Sequence, residues 1–228
     1  MTDSERVKQH FQRSASGFDL IYTEEKSNFR KFLDRRFRQD MYERYELTLQ
    51  ECMDIRGKRI LDVGCGPGRY CVELAKAGPA EVLGLDFAEN ALRMARELAE
   101  DNGLSDVCSF RCADFAEYQF DTHQRHGGFS PFHICLALGL FDYIADPIPL
   151  ISKMRDVTLE KIIMTFPSKS TYRMAIRRVR YWLKRCPLFL YDEKQIEDIL
   201  AESDIPNYTI RKLSGTDNSG DFFVVAKI

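Results

Sequence analysis

At 228 residues the chain can bury one sizeable core, and its 44% hydrophobic and 30% charged residues are ordinary for a globular domain. Lys and Arg number 33 against 35 Asp and Glu, a net charge of −2, so the chain offers nucleic acid no global attraction and any such contact would need a local patch. No apolar run approaches the roughly 18 residues of a membrane span, and Met1-Thr2-Asp3-Ser4-Glu5-Arg6 lacks the basic-then-apolar order of a secretion signal.

Residues 1–57 read as helical and form a region of their own. Phe29, Leu33, Phe37, Met41, Tyr45, Leu49 and Cys52 form a stripe at three- and four-residue spacing, ringed by Arg30, Lys31, Arg35, Arg36 and Arg38. That pattern predicts a helix packing its apolar face on the rest of the chain and leaving its charges in water. From residue 58 onward strands and helices alternate, which predicts a parallel sheet covered on both faces.

The first predicted strand, 60–63, runs into Gly64-Cys65-Gly66-Pro67-Gly68-Arg69, and a helix comes next over 70–77. Glycines at alternate positions after a buried strand let the backbone turn tightly and come close to a bound nucleotide, where a Cβ would collide. The dinucleotide pattern wants its third glycine where Arg69 stands. Pro67 also removes an N–H that a phosphate cradle would use. The loop therefore suits a nucleoside without phosphates.

The next strand, 81–86, ends in Asp86-Phe87, roughly 20 residues past the loop, the separation expected of an acid that accepts from ribose hydroxyls. Its alternative role is to cap the helix immediately after it. That helix carries Ala91, Leu92, Ala95, Leu98 and Ala99 on one face and stops at Asn102-Gly103, a left-handed cap. A third strand ends at Asp114-Phe115, readable on its own as a turn aspartate before a core phenylalanine.

After a fourth strand over 133–138 comes Leu138-Gly139-Leu140-Phe141-Asp142-Tyr143, at the end of the sheet where α/β proteins bind ligands. Asp142 and Tyr143 are candidates for acid–base or orienting work, with helix capping and packing as the alternatives. His133 opens that strand at the opposite end and reads as structural. His123 and His126 have no carboxylate or cysteine at ligand spacing, so no metal is expected.

A fifth strand over 161–166 precedes a basic helix spanning 169–186. There Tyr172, Ile176, Val179 and Leu183 make an apolar stripe, and Arg173, Arg177, Arg180 and Lys184 a cationic one beside it. A solvated face, an anionic acceptor, a membrane surface aided by Trp182, or RNA phosphates would each answer to it. Asp192 with Gln195 forms a capping box. Strands over 208–213 and 222–227 flank a turn-rich link and should pair as an antiparallel hairpin. The seven cysteines (52, 65, 71, 108, 112, 135 and 186) include no Cys-x-x-Cys, which suits reduced thiols and a cytoplasmic location.

Taken together, the glycine loop 61–68 and the acids at 86 and 114 resemble the cofactor-binding motifs of the class I S-adenosylmethionine (SAM) dependent methyltransferases. The resemblance implies a Rossmann-like, seven-stranded, mostly parallel sheet with an antiparallel C-terminal hairpin. It implies an N-terminal helical lid over 1–57 and a methyltransferase domain over 58–228. SAM would be held by Asp62, Gly64, Cys65, Gly66 and Gly68, with ribose on Asp86, the adenine amino group on Asp114 with its neighbour Phe115 walling the base, and Phe87 and Leu138 as further cofactor contacts. Tyr22 is similar to a lid tyrosine that reaches the methionine carboxylate. Tyr22, Phe87, Phe115 and Phe141 are candidates for cation–π contact with the sulfonium. No Asn/Asp-Pro-Pro-aromatic sequence follows the fourth strand, unlike exocyclic-amine and glutamine methyltransferases, and no Pro-Cys nucleophile appears. The layout after the fifth strand is loosely similar to magnesium-protoporphyrin and quinone-pathway O-methyltransferases. The expectation is methyl transfer to an oxygen of an anionic, partly apolar small molecule held near Arg173, Arg177 and Arg180. The rivals are an RNA or protein methyltransferase and a SAM-binding module without catalysis.

Overall fold

The computed structural model describes residues 39–120, 130–169, 187–213 and 220–228. Tyr22, the stripe residues Phe29, Leu33 and Phe37, the His123–His126 pair and the basic stripe of Arg173, Arg177 and Arg180 lie outside the described residues.

In chain order the elements are α1 (Gln39–Glu51), β1 (Arg59–Val63), α2 (Arg69–Ala75), β2 (Glu81–Asp86), α3 (Glu89–Asp101), β3 (Cys108–Cys112), β4 (Phe132–Ala137), α4 (Ile148–Asp156), β5 (Thr158–Phe166), α5 (Glu193–Glu202), β6 (Asn207–Lys212) and β7 (Phe222–Lys227). The strands form one seven-stranded sheet in the order β3-β2-β1-β4-β5-β7-β6. The first five strands run parallel, and β7 lies antiparallel to both β5 and β6.

Continuous apolar runs are what a parallel strand covered on both faces requires. Leu61 and Val63 of β1 point to one side, with Met164 and Phe166 of β5, and are covered by Leu150, Ile151 and Met154 of α4 and Ile196 and Leu200 of α5. Ile60 points to the other side, where Cys71, Val72 and Leu74 of α2 and Leu92, Ala95 and Ala99 of α3 pack. Leu47, Leu49, Cys52 and Ile55 join that second cluster, so α1 and the segment after it belong to the same core as the sheet. Of the described stripe residues, Met41, Tyr45 and Leu49 are half-buried and Cys52 is buried. The fully buried residue of α1 is Thr48, which the apolar stripe does not reveal; its hydroxyl donates to the Arg44 carbonyl at 2.8 Å. A helix wall can bury a hydroxyl when its own backbone supplies the acceptor.

The sheet's connectivity positions the site. From β1 the chain steps outward to β2 and β3, then returns to place β4 on the other flank of β1, with Ile60, Leu61 and Asp62 opposite Ile134, Cys135 and Leu136. Strand order reverses there, and such a switch point leaves a crevice beyond the strand C-termini. The glycine loop after β1 and the segment after β4 face each other across it.

Candidate active site

A cleft of about 260 Å³ opens at that crevice. It is lined by Val63 and Gly64 from β1 and its loop, by Leu85, Asp86 and Phe87 from the end of β2, and by Ala113, Asp114 and Phe115 from the end of β3. The segment after β4 supplies Leu140, Tyr143, Ile144, Ala145 and Asp146, and α4 supplies Leu150. Three acids therefore stand on walls that are otherwise mainly apolar.

Asp86 is the most closely held of them. Its Oδ2 accepts from the Gly66 N–H at 2.9 Å and its Oδ1 from the Ala88 N–H at 2.8 Å. Burial pushes its carboxyl up from the usual range, opposed by the N–H groups of Ala88, Gly66 and Phe87. The Ala88 bond closes a local turn at the end of β2, leaving α3 without a side-chain cap, and the Gly66 bond ties the acid to the glycine loop. Each oxygen keeps further acceptor capacity.

The loop's glycines do different jobs. Gly64, Gly66 and Gly68 all have positive φ, which an L side chain rarely adopts. A Cβ on Gly68 would sit 2.7 Å from Ala95 Cβ, so this glycine lets α2 and α3 approach; one on Gly66 would meet no protein atom within 4 Å. Gly66 is thus the position where the backbone is open to a ligand. Gly64 and Cys65 both donate to the Leu85 carbonyl, at 2.8 and 3.1 Å, which pins the loop to β2.

Asp62 and Cys65 lie behind the loop and are not among the residues lining the cleft. Asp62 is only 2% exposed and accepts from the Cys71 thiol at 3.3 Å. Burial pushes its carboxyl up to about 7, and the nearby Asp86 carboxylate pushes the same way, while the Cys71 thiol and the Arg44 guanidinium oppose. The Cys65 side chain is turned toward the α2–α3 core, and a Cβ at Gly84 would lie 2.8 Å from its sulfur.

Of the remaining sequence candidates, Phe87, Asp114 and Phe115 line the cleft; Leu138 and Phe141 do not. Leu138 packs with the α1–α2–α3 cluster, and Leu140, two residues on, takes the place on the wall. Phe141 is fully buried, stacked on Phe166 with centroids 4.5 Å apart, and so lies away from any sulfonium. The candidate pair after β4 divides. Tyr143 lines the cleft, whereas Asp142 is buried at 3% exposure, its carbonyl accepting from the Phe189 N–H at 2.9 Å. His133 is structural, its Nδ1 accepting from the Arg59 N–H at 3.0 Å.

Sequence reasoning missed Arg44. Its Nε donates to the Tyr70 hydroxyl at 3.2 Å, and its Nη1 lies 3.3 Å from where a Cβ on Gly139 would stand. It brings a cation between the glycine-loop helix and the segment after β4, beside the buried Asp62. The available signal was positional: an arginine on the last helix before β1, on the face that carries the buried Thr48. The apolar stripe marks the neighbouring packing face, with Leu49 and Cys52 packed into the core, and gives no sign of the polar pair beside it.

These features match known proteins. The family model described as a methyltransferase domain matches residues 55–203. The chain is 27% identical over 180 residues to the ubiquinone biosynthesis O-methyltransferase of Actinobacillus pleuropneumoniae serotype 5b, covering 75% of this chain and 74% of that one. It is 29% identical over 131 residues to human EEF1A lysine methyltransferase 2, covering 56% of this chain and 52% of that one. Among solved structures, magnesium protoporphyrin IX methyltransferase from Synechocystis PCC 6803 with bound S-adenosylhomocysteine (SAH) aligns with a TM-score of 0.72 at 19% identity, covering 99% of both chains. The chain belongs to the methyltransferase-domain family and is a SAM-dependent methyltransferase.

Proposed function

We propose that the chain transfers a methyl group from SAM to an oxygen of an anionic, partly apolar small molecule. The observation that carries the cofactor half is the tethered Asp86 carboxylate, set on the wall of a mainly apolar cleft beside an open Gly66. A carboxylate held from behind by two N–H groups can take two vicinal ribose hydroxyls without having to be ordered on binding. Asp114 and Phe115, with Phe87, would take the base. Arg44 would face the methionine carboxylate from α1, where Tyr22 is expected to join it. The ubiquinone and porphyrin methyltransferases among the relatives support a small-molecule acceptor.

When bound, SAM supplies an electrophilic methyl on a sulfonium, and no covalent enzyme intermediate is needed. The chain's own contribution is alignment, which can be worth several kcal/mol. Tyr143 stands on the cleft wall, where it can orient an acceptor oxygen. A carboxylate acceptor would need no base, and a hydroxyl acceptor would pass its proton to a group near Tyr143. Asp142, buried behind it, would act through the wall rather than by touching the acceptor. Arg173, Arg177 and Arg180 would hold an anionic group. Free thiols at all the described cysteines support a reducing, cytoplasmic setting. Among the described residues no helix is long and apolar enough to cross a membrane.

The human lysine methyltransferase favours a second reading, transfer to a protein amine. One experiment separates them. Isotopically labelled methyl from SAM is offered to a cell extract, which is then split into organic-soluble, protein and nucleic-acid fractions. Label in the organic or small-molecule fraction is expected; label confined to protein or RNA would replace the reading, and none in any fraction would favour a binding module.

A further inference from the structure

The turn after β3 carries Asp114 and Phe115 to the cleft, and a lysine side chain from α4 holds it. Lys153 of α4 directs its Nζ at three backbone carbonyls of that turn: Phe115 at 2.7 Å, Ala116 at 2.9 Å and Tyr118 at 2.7 Å. An ammonium has three donors, and here each finds an acceptor in a span of four residues. The same nitrogen lies 5.1 Å from the Phe115 ring centroid. Within the turn, the Asp114 carboxylate accepts from the Ala116 N–H at 3.0 Å, while the Glu117 and Tyr118 N–H groups donate to the Asp114 carbonyl. The turn's N–H groups thus point mainly to Asp114, with the Tyr118 N–H also reaching the Phe115 carbonyl at a long 3.3 Å, and the Phe115, Ala116 and Tyr118 carbonyls all turn toward one outside donor. Lys153 is that donor. Burial lowers its pKa, and the nearby Asp114 carboxylate acts the other way, so the cation and the acid are electrostatically linked.

We propose that Lys153 is a positioning residue for purine selectivity: by holding all three carbonyls, it fixes the orientation in which Asp114 and Phe115 meet the base. The inference rests on the reading that Asp114 accepts from the adenine amino group. A carboxylate aimed at an amino group rejects a base bearing a carbonyl there, because two acceptors then face each other. Such rejection depends on direction, and direction is what the ammonium secures. The aromatic cluster of Phe115, Tyr118, Phe120 and Phe132 packs the same turn from inside. Ring contacts tolerate small rotations, so packing can keep the turn in place while leaving its orientation loose.

The test measures affinity of the full chain for SAH and for S-inosylhomocysteine by titration calorimetry, with thermal unfolding alongside. The wild type is expected to prefer SAH. Lys153→Met keeps the apolar stem and loses the donors. It should weaken SAH about tenfold and narrow the preference over the inosine analogue several-fold. Lys153→Arg, whose planar fork can still reach two carbonyls, should recover part of that preference; if the methionine variant does not fold, the arginine variant carries the test by an intermediate narrowing. A preference unchanged in both variants overturns the proposal, whatever happens to stability, since a purely structural lysine would weaken both ligands alike. A wild type that binds both ligands equally overturns it together with the role given to Asp114, and leaves the methyltransferase reading standing. A wild type that binds neither ligand defeats that reading as well.

Discussion

Asp86 holds the Gly66 and Ala88 N–H groups with the same two oxygens that are proposed to take a ribose, and the two duties can be separated by substitution. Asp86→Ala removes the acceptor for the Gly66 and Ala88 N–H groups, which should cost about 1–3 kcal/mol of stability. The loss of SAH affinity should be far larger, at least about a hundredfold, because a charge-assisted bidentate contact disappears as well. Calorimetry with SAH checks this, and an unchanged affinity would end the ribose assignment. The loop glycines make a matching pair. Gly68→Ala forces a Cβ to within 2.7 Å of Ala95 Cβ at positive φ and should cost stability first. Gly66→Ala meets no protein atom and should cost SAH affinity with a smaller loss of melting temperature. Asp62 adds a pH signature. Its carboxyl, pushed up to about 7 by burial, is protonated in the folded protein where the unfolded chain has already released the proton. The stability this contributes is therefore whole below about pH 4 and is lost as pH rises toward 7. Asp62→Asn, which keeps an acceptor for the Cys71 thiol and cannot ionise, should gain stability relative to the wild type between pH 5 and pH 8. Melting curves of both proteins at the two pH values decide it; parallel behaviour would mean that Asp62 is not burdened by its burial.

Helix ends were legible because their chemistry is local. Asp192 and Gln195 form both bonds of the capping box, at 2.9 and 3.1 Å, as their spacing alone predicts. Asn102-Gly103 closes α3 with Gly103 at φ +67° and the Leu104 N–H on the Ala99 carbonyl. Strand limits drifted by a residue or more: β4 is Phe132–Ala137 and β5 begins at Thr158, three residues before its apolar run. Pairing with a neighbour sets those limits, and pairing is invisible in a strand's own composition. The box offers a test at its own scale. Asp192→Ala should cost about 1 kcal/mol and lower the melting temperature by about 2–4 °C. SAH affinity should stay unchanged, since α5 lines no part of the cleft. A loss of affinity would mean that the Lys169–Asp192 ion pair, at 2.7 Å, transmits order to the site.

For the molecule as a whole, alternation of strands and helices foretold a covered parallel sheet, and Gly64, Asp86 and Asp114 converge on one cleft because the strand order reverses between β1 and β4. The features that stayed hidden depend on contacts between distant residues. Arg44 meets Tyr70 across 26 positions, and Lys153 reaches the turn after β3 from 35 to 38 positions away; neither pairing leaves a periodic trace. The structure joins the two flanks of the chain between the end of β5 and α5, the stretch proposed to meet the acceptor. Lys169 donates its N–H to the Tyr191 carbonyl at 3.0 Å, and the Tyr191 N–H donates to the Pro167 carbonyl at 2.9 Å. The Tyr191 hydroxyl then reaches the Ile144 carbonyl at 3.1 Å, on the cleft wall. The residues that flank the basic stripe in sequence are therefore tied together beside the cleft, and no cofactor candidate lies within the stripe itself. Arg177→Glu with Arg180→Glu should leave SAH affinity within about twofold and lower transfer to an anionic acceptor by about tenfold or more, mostly through KM, because a guanidinium that meets an anionic group acts on binding before chemistry. Raising the salt concentration should shrink the difference between variant and wild type. Equal transfer rates at low salt would make the stripe a solvated surface and return the search for acceptor contacts to Tyr143 and the wall around it.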